Sequence, residues 1–167
     1  GIVASAQNEK AVQRVYEARR RRPDKPCIIL IAGISDLEQF GVKTVPALAK
    51  LWPGAVSVIL PCHDEASAKA DRDALVYLHR GTNKLAFRLP ASEGLREFLR
   101  ATGPLIAPSA NLEGMKPATT IAEAKAYFED RVDFYVSVEA PMSADVDMPL
   151  IGEPSTLVEI KEGRVVV

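Results

Sequence analysis

Three short segments of this chain carry side chains whose chemistry exceeds what packing demands. The first is Arg19-Arg20-Arg21-Arg22-Pro23-Asp24-Lys25-Pro26. Guanidinium groups bind phosphate oxygens in bidentate fashion, so alternate arginines on one side of an extended turn can converge on a polyphosphate. The same residues can equally end a solvated helix, where cations complement the negative end of the dipole. The second segment is Pro108-Ser109-Ala110-Asn111-Leu112-Glu113-Gly114. Small residues permit close approach, a hydroxyl and an amide offer directional bonds, and Gly114 lets the backbone turn. A plain Asx or Ser turn leaving a strand fits it as well. The third, Pro154-Ser155-Thr156, places small hydroxyl residues at a strand start. Arg88 adds a cation on the wetter face of an alternating strand.

Other chemistries find less support. No phosphate-binding P-loop and no glycine-rich dinucleotide fingerprint is present. The two histidines, His63 and His79, lie far apart without clustered cysteines, so no metal site built from protein side chains is expected. No nucleophile-elbow motif supports a serine triad. The formal net charge of −1 argues against a nucleic-acid binder that relies on global charge. Cys27 and Cys62 each sit in an apolar run and read as buried free thiols of a cytoplasmic protein. No apolar run is long enough for a membrane span. The 167 residues suffice for one domain with its own core.

The elements that must hold these segments follow from periodicity and punctuation. Asn8 caps a helix from Glu9, with Ala11, Val12, Val15 and Ala18 on one face; Pro23 and Pro26 end it near the arginines. Cys27 to Ala32 reads as a strand buried on both faces. Ser35 and Thr44 suggest caps of two short helices, the second with Pro46 in its first turn. Trp52-Pro53-Gly54 is a turn before a strand over Ala55 to Leu60. Residues 62 to 82 read as a polar excursion with a short strand at Val76 to Leu78. Leu85, Phe87 and Leu89 alternate as a strand, and Ser92 opens a helix stopped by Gly103. A short strand over Leu105 to Ala107 leads into the Ser109 loop. Thr120 with Glu123 forms a capping box for a helix to about Asp130. Phe134 to Val138, Ser155 to Ile160 and Val165 to Val167 complete the strands, the last two joined by a turn at Glu162-Gly163. The balance is α/β with a mixed sheet. Gly1 to Ala4 reads as the tail of a strand and Val165 to Val167 lacks a polar exit, so residues 1–167 are expected to be a single domain truncated at both ends.

Taken in order and spacing, these segments resemble the YrdC/TsaC family of threonylcarbamoyl-AMP synthases. The likeness runs from Ala11-Val12 and Tyr16 through the arginine turn and Lys25-Pro26. It continues through Leu51-Trp52-Pro53-Gly54, Ala86-Phe87-Arg88-Leu89-Pro90, Ser109-Ala110-Asn111-Leu112-Glu113-Gly114 and Pro154-Ser155-Thr156. The resemblance implies a YrdC-like α/β fold: a twisted mixed parallel and antiparallel sheet with flanking helices and a concave ligand-binding face. It implies formation of threonylcarbamoyl-AMP and pyrophosphate from L-threonine, bicarbonate and ATP with Mg²⁺, the product passing to a tRNA threonylcarbamoyl transferase complex. It assigns Arg19, Arg21, Ser109, Asn111 and Ser155 to ATP and phosphate, and Arg88 and Thr156 to threonine, with no covalent nucleophile. Anchoring the turn on Pro23 instead of Tyr16 selects Arg20 and Arg22.

The chain also departs from the family pattern. The lysine of the family's Lys-x-Arg pair is replaced by arginine at position 19. The family's Pro-Thr-acid-Thr-aliphatic-Tyr segment, expected just before Gly1, and the Arg-Gly beyond the last strand are both missing. Two other readings remain open: a non-catalytic module binding tRNA or double-stranded RNA, and a YrdC-like domain of a larger carbamoyl-transfer enzyme. The first lacks both basic charge and an aromatic stacking series.

Overall fold

The computed structural model describes residues 1–62, 73–136, 155–161 and 164–166. Its strands form one seven-stranded sheet, ordered β1 (Ala4–Ser5), β5 (Leu105–Ile106), β2 (Ile28–Leu30), β4 (Lys84–Arg88), β3 (Val56–Pro61), β6 (Thr156–Lys161) and β7 (Arg164–Val166). The β2–β4 and β3–β6 pairs are parallel, and the other four pairs are antiparallel. This is the mixed sheet read from the sequence. Val3 beside one edge and Val165 and Val166 at the other are among the exposed apolar side chains.

The two faces of the sheet differ. Successive side chains on a strand point to opposite faces, and paired residues share a face. Ile29 is paired with Phe87, which is paired in turn with Val58. All three are sealed, as are Ile31, Leu85, Leu60 and Val158 on the same parity. Leu30 is paired with Arg88 on the other face, where Ile28, Ala86 and Ile59 are only half-buried and Leu157 is exposed. The strand over Cys27 to Ala32 is therefore not buried on both sides. One face is core, and the other is the more open one, bearing Arg88, although Ser57 and Leu105 on it are buried.

The sealed face shares an apolar cluster with α1 (Glu9–Arg19) and two 3₁₀ segments, Ile34–Phe40 and Pro46–Lys50. Phe40 tilts onto Phe87 with ring centroids 5.2 Å apart. Asn8 caps α1 by accepting from the Ala11 amide at 3.1 Å. Ser35 and Thr44 cap nothing: the 3₁₀ segments start after Gly33 and Val45 without a side-chain cap. Asp36 does that work for the first, accepting from the Ala32 and Gly33 amides.

Val76–His79 forms a short helix, α2, instead of a strand. Leu78 and His79 turn inward while Val76 is half-exposed, a helical and not a two-residue period. Helix α3 (Glu93–Thr102) opens on Ser92 and stops at Gly103, whose φ is +76°. Thr120 caps α4 (Ile121–Phe128) through the Glu123 amide, while the Glu123 carboxylate reaches back to Thr119. Residues 134–136 form no strand, and Phe134 is 75 % exposed. The remainder of the expected Phe134 to Val138 strand lies outside the described residues, as do His63 and the Glu162-Gly163 turn.

Candidate active site

Arg19 closes α1 and is only 2 % exposed. The helix ends at the next residue: Arg20 takes the left-handed conformation at φ 50° and reverses the chain there. The Arg19 Nε donates to the Asn111 carbonyl at 3.0 Å. Its Nη2 donates to Asn111 Oδ1 at 2.9 Å and to Ser109 Oγ at 3.2 Å. Nη1 is sealed and has no hydrogen-bond partner among the described residues. Burial, followed by the nearby Arg21 charge, lowers the Arg19 pKa.

Asn111 is fully committed within the protein. Its Oδ1 accepts from Arg19 and from Ser109 Oγ at 2.6 Å, and its Nδ2 donates to the carbonyls of Leu112 at 2.9 Å and Met115 at 2.7 Å. An amide side chain has two acceptor positions and two donor hydrogens, so none is left over for direct contact with a ligand. Gly114, at φ +84°, supplies the reversal that brings the Met115 carbonyl back to Asn111.

The remaining arginines of the turn part company. Arg21 bonds the Lys25 and Pro26 carbonyls at 3.2 and 3.0 Å and lies over the Tyr16 ring, bracing its own turn. Arg22 is exposed and paired with Asp24 at 2.6 Å. Arg20 is exposed at the helix cap. Glu113 ties the Ser109–Asn111 loop to the arginine turn. Its amide donates to the Arg19 carbonyl at 2.9 Å, and its carboxylate accepts from the Arg22 amide at 2.5 Å and Lys25 Nζ at 2.6 Å. Lys25, then the Arg22 amide, holds the Glu113 carboxyl below the ordinary glutamate range.

Arg88 and Ser155 form a second polar group at the far end of β4 and β3. The Arg88 Nε donates to the Gly54 carbonyl at 3.1 Å, fixing the guanidinium beside the Trp52-Pro53-Gly54 turn. Ser155 Oγ lies 2.7 Å from Ser57 Oγ. Alternation along β6 puts Ser155 on the open face with Arg88 and turns Thr156 to the other. Ala107 bonds the Ile28 carbonyl, whereas Arg88 is level with Leu30. The Arg19–Ser109–Asn111 group and the Arg88–Ser155 group thus sit toward opposite strand ends. Ser57 was missed by sequence reasoning. Its signal was a lone hydroxyl within an apolar run.

An apolar cavity of about 250 Å³ opens between α1, α4 and the segments 1–4 and 131–136. Its polar lining is confined to side chains such as Arg14, Arg131 and Asp133, with Arg14 and Asp133 paired at 2.7 Å. None of the site residues read from the sequence lines it. Among the described residues no cluster of three or more His, Cys, Asp or Glu could hold a metal, and no helix is long and apolar enough to cross a membrane.

Known proteins share both the sequence and the sheet. The Sua5/YciO/YrdC family model, described as "Telomere recombination", matches residues 1–167. The chain is 38 % identical to the threonylcarbamoyl-AMP synthase of Bacillus subtilis over 128 residues, 74 % of this chain and 35 % of that protein. It is 33 % identical to that of Pyrococcus abyssi over 168 residues, 97 % of this chain and 44 % of that one. The H234A/Y235A form of P. abyssi Sua5 superposes with a TM-score of 0.73 at 27 % identity, covering 98 % of this chain and 47 % of that one. P. abyssi Sua5 complexed with L-threonine superposes at 0.67 and 28 % identity, covering 95 % and 43 %. The chain thus spans less than half the length of these relatives. From its first to its last residue, it belongs to the Sua5/YciO/YrdC family.

Proposed function

We propose that this chain is the catalytic core of a threonylcarbamoyl-AMP synthase. The observation that carries the reading is Arg19: a nearly sealed guanidinium, held on three bonds by the Ser109–Asn111 loop, whose Nη1 has no partner among the described residues. A buried unpaired donor costs about 1–3 kcal/mol, a penalty that an anionic ligand removes. ATP would supply the anion, and Mg²⁺ would arrive with the nucleotide.

In this reading the exposed Ser109 hydroxyl meets the phosphates, and the Arg19 charge lies directly behind it. Asn111 holds both, and Arg21 holds the turn. Arg88 and Ser155, on the open face toward the other strand end, receive the amino acid, a separation that suits a long two-part substrate better than a single small one. Thr156, on the opposite face, takes no part in this reading, contrary to the role that the family resemblance gave it. Bicarbonate condenses with the threonine amine to a carbamate, losing water. A carbamate oxygen then attacks the α-phosphorus, and pyrophosphate leaves with the bridging electron pair. The protein contributes positioning, charge neutralisation and shelter for a labile mixed anhydride. The product passes to a tRNA threonylcarbamoyl transferase. Two buried free cysteines suit the reducing cytoplasm.

The test is pyrophosphate release measured with each component omitted in turn. Release that requires ATP, L-threonine and bicarbonate together supports the reading. Release independent of threonine, or none at all, overturns it.

A further inference from the structure

Ser57 sits mid-sheet on β3 and is fully buried, which is unusual for a hydroxyl in an apolar strand. Its hydroxyl has one hydrogen-bond partner among the described residues, Ser155 Oγ at 2.7 Å. The geometry alone allows either oxygen to donate, but burial decides the direction. Were Ser155 the donor, the Ser57 proton would be left in a dry site without an acceptor, at the full cost of an unmet buried donor. With Ser57 donating, its proton is satisfied, and the proton on Ser155, which is only half-buried, is released toward the open face.

From this polarity we infer that Ser57 is a positioning residue that orients Ser155 as a hydrogen-bond donor to the carboxylate of the amino-acid substrate. The inference rests on the function proposed above and deepens it. Three features place the carboxylate there. Val58 is paired with Phe87, so Ser57 and Arg88 are neighbours across the β3–β4 pair on one face. Arg88 is held by its Nε on the Gly54 carbonyl, and among the described residues both terminal nitrogens of its fork are left for a ligand. A planar fork beside an outward-pointing hydroxyl matches a carboxylate, accepting two charge-assisted bonds from arginine and one from serine. The chain Ser57 Oγ–H to Ser155 Oγ–H to carboxylate also polarises in one direction, which strengthens its last bond.

The role predicts a substrate-selective defect. Ser57→Ala removes only a hydroxyl and leaves Ser155 free to rotate. It should raise the KM for threonine about tenfold, the scale of one charge-assisted bond, with kcat and the KM for ATP nearly unchanged. Ser57→Cys, a weak donor of similar shape, should fall between. In a Ser155→Ala background, Ser57→Ala should add nothing, because its only route to the substrate is gone. A wild type that releases no pyrophosphate with threonine overturns the function and this role together. An active wild type in which Ser57→Ala is silent, weakens ATP and threonine alike, or keeps its full effect without Ser155 overturns the role of Ser57 alone.

Discussion

Arg19 and Asn111 hold each other at two points, the Arg19 Nε on the Asn111 carbonyl at 3.0 Å and Nη2 on its Oδ1 at 2.9 Å. This pairing joins the end of the first helix to the loop after β5 and spends the whole hydrogen-bonding capacity of the amide inside the protein. Asn111 therefore acts on nucleotide through Arg19 and Ser109. Asn111→Ala should weaken ATP binding and also lower stability by about 1–3 kcal/mol, because it strands donors of Arg19 and acceptors at Leu112 and Met115. Calorimetric titration of ATP, set beside thermal melts, checks both. A variant with an unchanged midpoint contradicts the clamp, and one with unchanged ATP affinity contradicts the site.

How far the sequence could be read depended on whether the deciding interaction was local. Asn8, Ser92 and Thr120 act within one turn of their own helices, and each caps the helix expected of it. The strand over Ile28–Leu30 was legible as a strand, but its two-sided burial was not: an apolar run looks the same whether its second face meets a helix or a ligand surface. Val76–His79 has strand-like composition, yet its inward residues follow a helical period. The arginine turn was legible as a cluster but not as individuals. Arg19 is separated from Arg21 and Arg22 by the reversal at Arg20 and by contacts some 90 residues away in sequence. Those contacts include the Glu113 clasp, which no local pattern announces.

Glu113 gives a pH signature. Its carboxyl is held below the ordinary range by Lys25 and by the Arg22 amide, so folding prefers the charged form. Such a group stabilises fully above its unfolded pKa of about 4.3, and this contribution disappears as pH falls through the lowered native value. Glu113→Gln should be less stable than wild type at neutral pH, with the two curves converging below about pH 4. Glu93, Glu123 and Asp24 are lowered too, so an acid limb persists in the variant. Curves that stay parallel down to low pH count against a native clasp.

The cysteines make a separate prediction. Burial pushes the Cys62 thiol up to about 11, and both Cys27 and Cys62 are buried and unpaired. Only the thiolate is nucleophilic, so at pH 8 Cys62 should react with a disulfide reagent about two orders of magnitude more slowly in the native protein than in denaturant. Rapid stoichiometric labelling of Cys62 before unfolding contradicts its placement on the core side of β3.

Arg88 supplies the sharpest separation of the two halves of the site. Its Nε is committed to the Gly54 carbonyl, so the guanidinium both braces the Trp52-Pro53-Gly54 turn and presents its remaining nitrogens to the open face. Lysine keeps the charge but cannot do both, because its ammonium is a single point and lacks the planar fork. Arg88→Lys should therefore retain the fold, with a melt within a few degrees of wild type, since Arg88 is only half-buried. The KM for threonine should rise about tenfold or more, as expected for losing a bidentate charge-assisted contact, while ATP affinity stays put because Arg19 and Ser109 lie toward the other strand end. Initial rates of pyrophosphate release, with threonine and ATP varied separately, give the two constants. An equal rise in both KM values would mean that Arg88 serves the phosphates or the fold at large, and would remove it from the amino-acid end of the site.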